Sequence, residues 1–216
     1  MDAQARFVED AGCHPDAAAA AFDAALDRYR EARRAYHGVA HVRSVLRAID
    51  GLLCTEACAD PRSVRFAGLY HDVVYDPRSH DNEARSAAFA AVALRGLGVD
   101  EPTISEVGRL IMMTVDHHAS TDDERVLADA DLAVLGAAPE VYDAYVAGVR
   151  FEYGHVPDDQ WRTGRAAVLE RLLGRTRLYS TATGRVAEPM ARANLARELA
   201  ALTRSPPAAR SGRYHW

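Results

Sequence analysis

The chain has 216 residues and a formal net charge of −5, enough length to bury a sizeable core in one domain. Apolar residues make up 49% and charged residues 26%, as in ordinary globular domains. No apolar run approaches the ~20 residues that cross a bilayer, and an acidic balance without a basic tail argues against duplex nucleic acid as partner. The first ten residues carry acids and no apolar stretch, so a cytoplasmic protein is expected. All 26 basic residues are Arg, a side chain suited to bidentate phosphate contacts where one lines a pocket. Cys13, Cys54 and Cys58 are too few for a disulfide framework and read as small apolar fillers.

Hydrophobic periodicity is helical almost throughout. Residues 16–34 follow Pro15 and place Ala21, Phe22, Ala25, Leu26 and Tyr29 at helical spacing. Residues 39–58 continue with Val42, Val45, Leu46, Ile49 and Leu53. A break at 59–61 precedes a helix over 63–75, ended by Asp76 and Pro77. The next spans 81–95 and stops at Gly96-Leu97-Gly98. Thr103, with Glu106 three residues on, has the capping-box pattern for a helix to about 116. Helices over 125–135, 140–153 and 158–173 follow, the last two separated by Gly154 and Pro157. A polar connection over 176–189 leads to a last helix over 190–202, and residues 204–216 have the composition of a disordered tail. The expected class is all-α: one bundle of eight or nine helices over residues 1–203.

Potential metal donors recur on this helical map. His37 and His41 are four apart, which puts two imidazoles on one helix face where the helix already runs through Gly38. The face of His41 continues through Val45, Ala48 and Ile49, so His41 points inward. His71 and Asp72 end an apolar helix; adjacent helical side chains diverge by ~100°, so they reach one ion only where the helix is ending. Asp116, His117 and His118 follow the apolar stretch 110–115, and Asp129 and Asp131 sit among apolar neighbours, where a lone charge is costly. Four apolar helices each delivering His or Asp near an end or on an inner face favour a shared metal over four separate structural roles.

These residues resemble the HD-domain superfamily of metal-dependent phosphohydrolases, and within it the branch described as predicted metal-dependent HD phosphohydrolases. The resemblance rests on Y-H-x-x-x-H-V (Tyr36 to Val42), H-D-x-V-Y-D (His71 to Asp76), D-N-E-x-x-S-A (Asp81 to Ala87), T-x-x-H (Thr114 to His117) and D-A-D-L-A-x-L-G (Asp129 to Gly136). R-x-E-Y (Arg150 to Tyr153) and W-R-x-G-R (Trp161 to Arg165) extend it. It implies His41, His71, Asp72 and Asp131 as ligands of one ion, with Asp129 beside them as an alternative. His117, or His118 in its place, resembles the additional His with which some members hold a second metal.

The resemblance further implies hydrolysis of a phosphate mono- or diester, such as a nucleotide, by metal-activated water. Two His and two Asp suit Mn, Fe, Co, Ni or Zn better than Ca. Asp72, Asp76 and Glu83 are candidates to accept the water's proton. His37, Arg34, Arg43, Arg162 and Arg165 are candidates to hold the phosphate. Trp161 reads as a core residue rather than a stacking platform. A binding or sensor module of the same fold would carry the same ligands without turnover. A di-iron bundle needs two E-x-x-H pairs, and only Glu152 to His155 fits, at a helix end.

Overall fold

The computed structural model describes residues 2–204. Within them the chain forms helices and no strand. The helices are α1 (Ala3–Ala11), α2 (Pro15–Tyr29), α3 (Val39–Leu52), α4 (Pro61–Tyr70), α5 (Asn82–Gly96), α6 (Glu101–Met113), α7 (Asp122–Asp131), α8 (Pro139–Glu152), α9 (Asp158–Leu173) and α10 (Glu188–Thr203). Short 3-10 turns span Leu132–Gly136 and Gly184–Ala187. These ten α-helices replace the expected eight or nine. The addition is α1, nine residues with two buried side chains, Phe7 and Ala11, too short to show a long periodic pattern. Gly12 closes it in the left-handed region at φ 62°. The expected tail lies, from residue 205 on, outside the described residues.

Capping residues set several boundaries. Asp60 accepts from the Ser63 backbone N–H ahead of Pro61, starting α4. Thr103 caps nothing: its N–H and hydroxyl both donate to Asp100, which caps α6 three residues earlier than expected. The capping box is instead at Thr121 and Glu124, at the start of α7. Helix α2 ends at Tyr29 and α4 at Tyr70, so residues 30–38 and 71–81 are loops facing each other rather than helix.

Two hydrophobic clusters organise the fold. The larger is built from α1 to α7, with Phe7, Phe22, Phe66 and Tyr70 in edge-on and tilted aromatic contact. The smaller joins the first 3-10 turn to α8, α9 and α10 through Leu135, Tyr142, Leu169 and Leu195. Helices α3, α4 and α7 pack on one another at the centre. This places the first turn of α3, the C-terminus of α4 and the C-terminus of α7 side by side.

Gly68 fixes the spacing of α3 and α4. A Cβ there would overlap Ile49 Cδ1, while meeting Leu46 and Val45 at ordinary contact distance. Ile49 is fully buried and has little room to yield. Gly68→Ala is expected to lower the unfolding free energy by ~1–3 kcal/mol, read as a fall in the denaturant midpoint. An unchanged midpoint would show that the α3–α4 contact repacks freely.

Candidate metal centre

His41 lies in the first turn of α3, His71 is the C-cap of α4, Asp72 follows it, and Asp131 ends α7. The helix ends turn their side chains toward one point. His41 Nε2 and His71 Nε2 are 3.2 Å apart. Asp72 Oδ2 is 3.4 Å from the first and 3.2 Å from the second. Asp131 Oδ1 is 3.3 Å and 3.4 Å from them. Donors ~2.1 Å from a shared centre are separated by ~3.0 Å at right angles and ~3.4 Å at tetrahedral angles. Taken pair by pair, these imidazole–imidazole and imidazole–carboxylate spacings fit two neighbouring donors of one ion. His41, His71 and Asp131 lie within 4.8 Å of one another as a group that could hold a metal ion. Asp72 meets both imidazoles but falls outside that mutual grouping, so the two carboxylates flank the imidazole pair from different sides.

The electrostatics agree with the spacing. Burial alone would raise the Asp72 carboxyl, but the His71 imidazole, with hydrogen bonds from His41 and His71, holds it well below the usual range. Asp131 is lowered in the same way against its burial, by His71 and by hydrogen bonds from His117, His41 and His71. Burial would lower His41 and His71; the facing carboxylates of Asp131 and Asp72 raise both instead. The pocket thus favours positive charge among its donors. His71 is also set as a ligand: its Nδ1–H donates to the Gly68 carbonyl at 3.0 Å, which leaves the Nε2 lone pair for the cluster.

The neighbours hold these donors in place. His117 Nε2–H donates to Asp131 Oδ2 at 2.8 Å, so it orients a carboxylate rather than offering that nitrogen to an ion. It does so from a left-handed backbone at φ 54°, a conformation that costs a side-chain-bearing residue energy and is concentrated at functional sites. His118 does not take its place: it is exposed and pairs with Asp116. Asp129 faces away from the cluster, two residues from Asp131 on the same helix. It accepts from the Ser180 and Thr181 backbone and the Thr181 hydroxyl, and so pins the connection before α10.

The remaining candidates divide sharply. Arg34 has a fully buried side chain and donates to the carbonyls of Asp72 at 2.5 Å, Val73 at 2.9 Å and His37 at 3.4 Å. It staples the His37 loop to the His71–Asp72 turn and has no free fork for a phosphate. Arg43 is exposed on α3. Arg162 donates to the carbonyls of Leu202 and Arg204 at the end of α10. Arg165 is held by Glu198 at 2.7 Å and by Tyr145. Asp76 accepts from the Arg78 backbone, and its own backbone pairs with Asn82, so it shapes a turn. Glu83 stands in the first turn of α5, where a negative charge suits the helix dipole. Of the three carboxylates expected to accept a proton, only Asp72 reaches the cluster.

His37 joins the site through a partner that sequence spacing does not reveal. Its Nδ1 is 2.7 Å from Glu152 Oε2, and its ring stacks on Tyr75 at 4.3 Å. Glu152, at the C-terminus of α8, also accepts from the backbone N–H of Tyr36 and His37 and from the Tyr75 hydroxyl. Burial would raise this carboxyl; the His37 imidazole and the backbone donors lower it. The arrangement uses Nδ1 and leaves Nε2 as the free nitrogen of His37. Glu152 does not pair with His155, which is exposed and packs beside Tyr153, so no E-x-x-H metal motif forms.

A cleft of about 590 Å³ reaches the cluster at Asp131. His37, His117 and Asp131 form its polar floor, and Leu132, Val149, Tyr153, Val156, Trp161 and Val168 form most of its wall. Trp161, expected in the core, is half-buried and lines this wall, with the Arg150 guanidinium 5.2 Å from its ring centre.

Comparison with family models, curated proteins and solved structures gave no match.

Metal affinity is expected to rise with pH. Raised pKa values keep protons on His41 and His71 to higher pH than free imidazole, and an ion must displace them. Calorimetric titration with Mn²⁺ or Zn²⁺ in buffers of different ionisation enthalpy should show proton release, with affinity falling as pH drops. A pH-independent affinity without proton release would place the ion elsewhere.

Proposed function

We propose that the protein is a metal-dependent phosphohydrolase with an HD-domain-like arrangement of helices. The observation that supports this best is a pair of imidazoles with a carboxylate on either side, each 3.2–3.4 Å from both rings, beside an open cleft. The site residues are His41, His71, Asp72 and Asp131, and the ion is Mn, Fe, Co, Ni or Zn, whose preferences suit this mixed nitrogen and oxygen set. Bound there, such an ion acidifies water and neutralises charge growing on a phosphoryl group.

The chain supplies the rest. Asp72 has one oxygen turned to the cluster and a second able to take the proton of the attacking water. His37, tied at Nδ1 by Glu152, presents Nε2 to a phosphate oxygen from the cleft floor. His117 keeps Asp131 from rotating. The substrate is a small phosphate mono- or diester, a nucleotide among the candidates, because the cleft accommodates a small molecule rather than a duplex.

His71→Ala and Asp72→Ala are each expected to lose most bound metal and to lower Mn²⁺-dependent ester turnover by ~10²-fold or more, with helix content retained by circular dichroism. His155→Ala should keep full metal content. A fully loaded His71→Ala protein would refute the ligand set. Metallated wild-type protein that hydrolyses no phosphate ester but binds nucleotide tightly would be a binding module instead.

A further inference from the structure

The cleft is uneven in its chemistry. Ionisable and polar groups cluster at the floor, beside the metal donors. Away from the floor the lining is Leu132, Leu135, Val149, Val156 and Val168 with the rings of Tyr153 and Trp161. Tyr153 and Trp161 lie 5.5 Å apart and are inclined at 40°. Gln160, at the start of α9, adds a side-chain amide to this lining.

Cations are scarce. Two Arg line the cleft, Arg165 and Arg171. Arg165 is buried and held by Glu198 and Tyr145. That leaves exposed Arg171 to meet added negative charge. The one carboxylate in the lining is Asp131, on the floor beside His37 and His117. A triphosphate would bring several charges past the metal into an apolar wall, where they are costly to desolvate. An uncharged ring would gain from the same wall by burial and by stacking on Trp161 and Tyr153.

We infer that the cleft selects esters carrying a single phosphate on an aromatic ring system, with the phosphate at the floor and the ring between Trp161, Tyr153 and the Val156–Val168 wall. This rests on the phosphohydrolase reading for the position of the phosphate, but the ring subsite is tested separately. Gly164 provides the means. It lies within α9 on the cleft wall, and a Cβ there meets nothing within 4 Å. A larger side chain at 164 would therefore occupy the cleft without disturbing the packing, and would favour the helix over Gly.

The test uses Mn²⁺-loaded protein with Trp216→Phe, which leaves Trp161 as the sole indole of the two in the chain. The non-hydrolysable probes are 4-nitrobenzylphosphonate and methylphosphonate. Calorimetry should give ~10-fold or greater preference for the aromatic probe, which should also quench Trp161 fluorescence. Gly164→Leu should collapse that preference, with metal content confirming an intact centre, and Trp161→Ala should reduce it independently. Equal affinities, or a preference that survives Gly164→Leu, overturns the inference.

Turnover provides the second arm. 4-Nitrophenyl phosphate and a nucleoside 5′-monophosphate should both exceed glycerol phosphate and ATP in kcat/KM, and their order tells a simple aryl group from a nucleobase as the ring. A preference for ATP overturns the inference. Aromatic preference in binding with no turnover of any ester would sink the hydrolase reading and leave the ring subsite standing.

Discussion

Two carboxylates held within about 3.4 Å of two buried imidazoles create a demand for positive charge that the rest of the structure is built around. Without an ion, protons on His41 and His71 answer that demand, which is why both are raised while Asp72 and Asp131 are lowered. Isolated buried charges of this kind are expensive. Placing them at the ends of α3, α4 and α7 eases the cost, because helix ends bring the donors together without interrupting the apolar packing behind them.

The scaffold holds this arrangement largely through backbone carbonyls. Tyr29 donates its hydroxyl to Leu69 O at 2.8 Å and accepts from the Asp72 N–H, fixing the turn where α4 ends. Arg34 reaches across from the preceding loop to Asp72 and Val73. Glu152 gathers Tyr36, His37 and Tyr75 from two loops onto one carboxylate. The loops at 30–38 and 71–81 are therefore ordered by side-chain bonds to backbone groups that helix would otherwise have satisfied. Removing Tyr29 or Arg34 would leave backbone groups of the His71–Asp72 turn unpaired, so the position of these candidate ligands and local stability are coupled.

The all-helical class was legible because apolar periodicity survives in a linear string, and the grouping of His41, His71 and Asp131 was anticipated by the family resemblance together with the recurrence of His and Asp at helix ends. The inward face of His41 follows from Val45 and Ile49 one and two turns on, and the break at Pro77 marks a helix end near His71. What was not legible depended on distance in sequence. Glu152 is more than a hundred residues from His37, and only the R-x-E-Y segment hinted that it mattered. Asp129 and Asp131 look alike in sequence, yet adjacent-but-one positions on a helix face nearly opposite ways, so one meets the imidazoles and the other meets Ser180 and Thr181. Helix α1 escaped because two buried side chains make no periodic signature. The arginines misled because charge says nothing of orientation.

That last point bears on how phosphate would be recognised. Arg is the basic side chain suited to bidentate anion contacts, yet several of its forks here point at the protein itself. Arg34 bridges three carbonyls, Arg162 two, and Arg192 those of Leu173, Arg175 and Thr176. A planar guanidinium suits this as well as it suits phosphate, because its several N–H groups can satisfy loop and helix-end carbonyls together. With those forks committed, an anion in the cleft would meet exposed Arg171, the free nitrogen of His37 and any ion held by the candidate metal group. On the proposed phosphohydrolase reading, discrimination among esters would then fall to the apolar wall, through shape and ring stacking rather than charge.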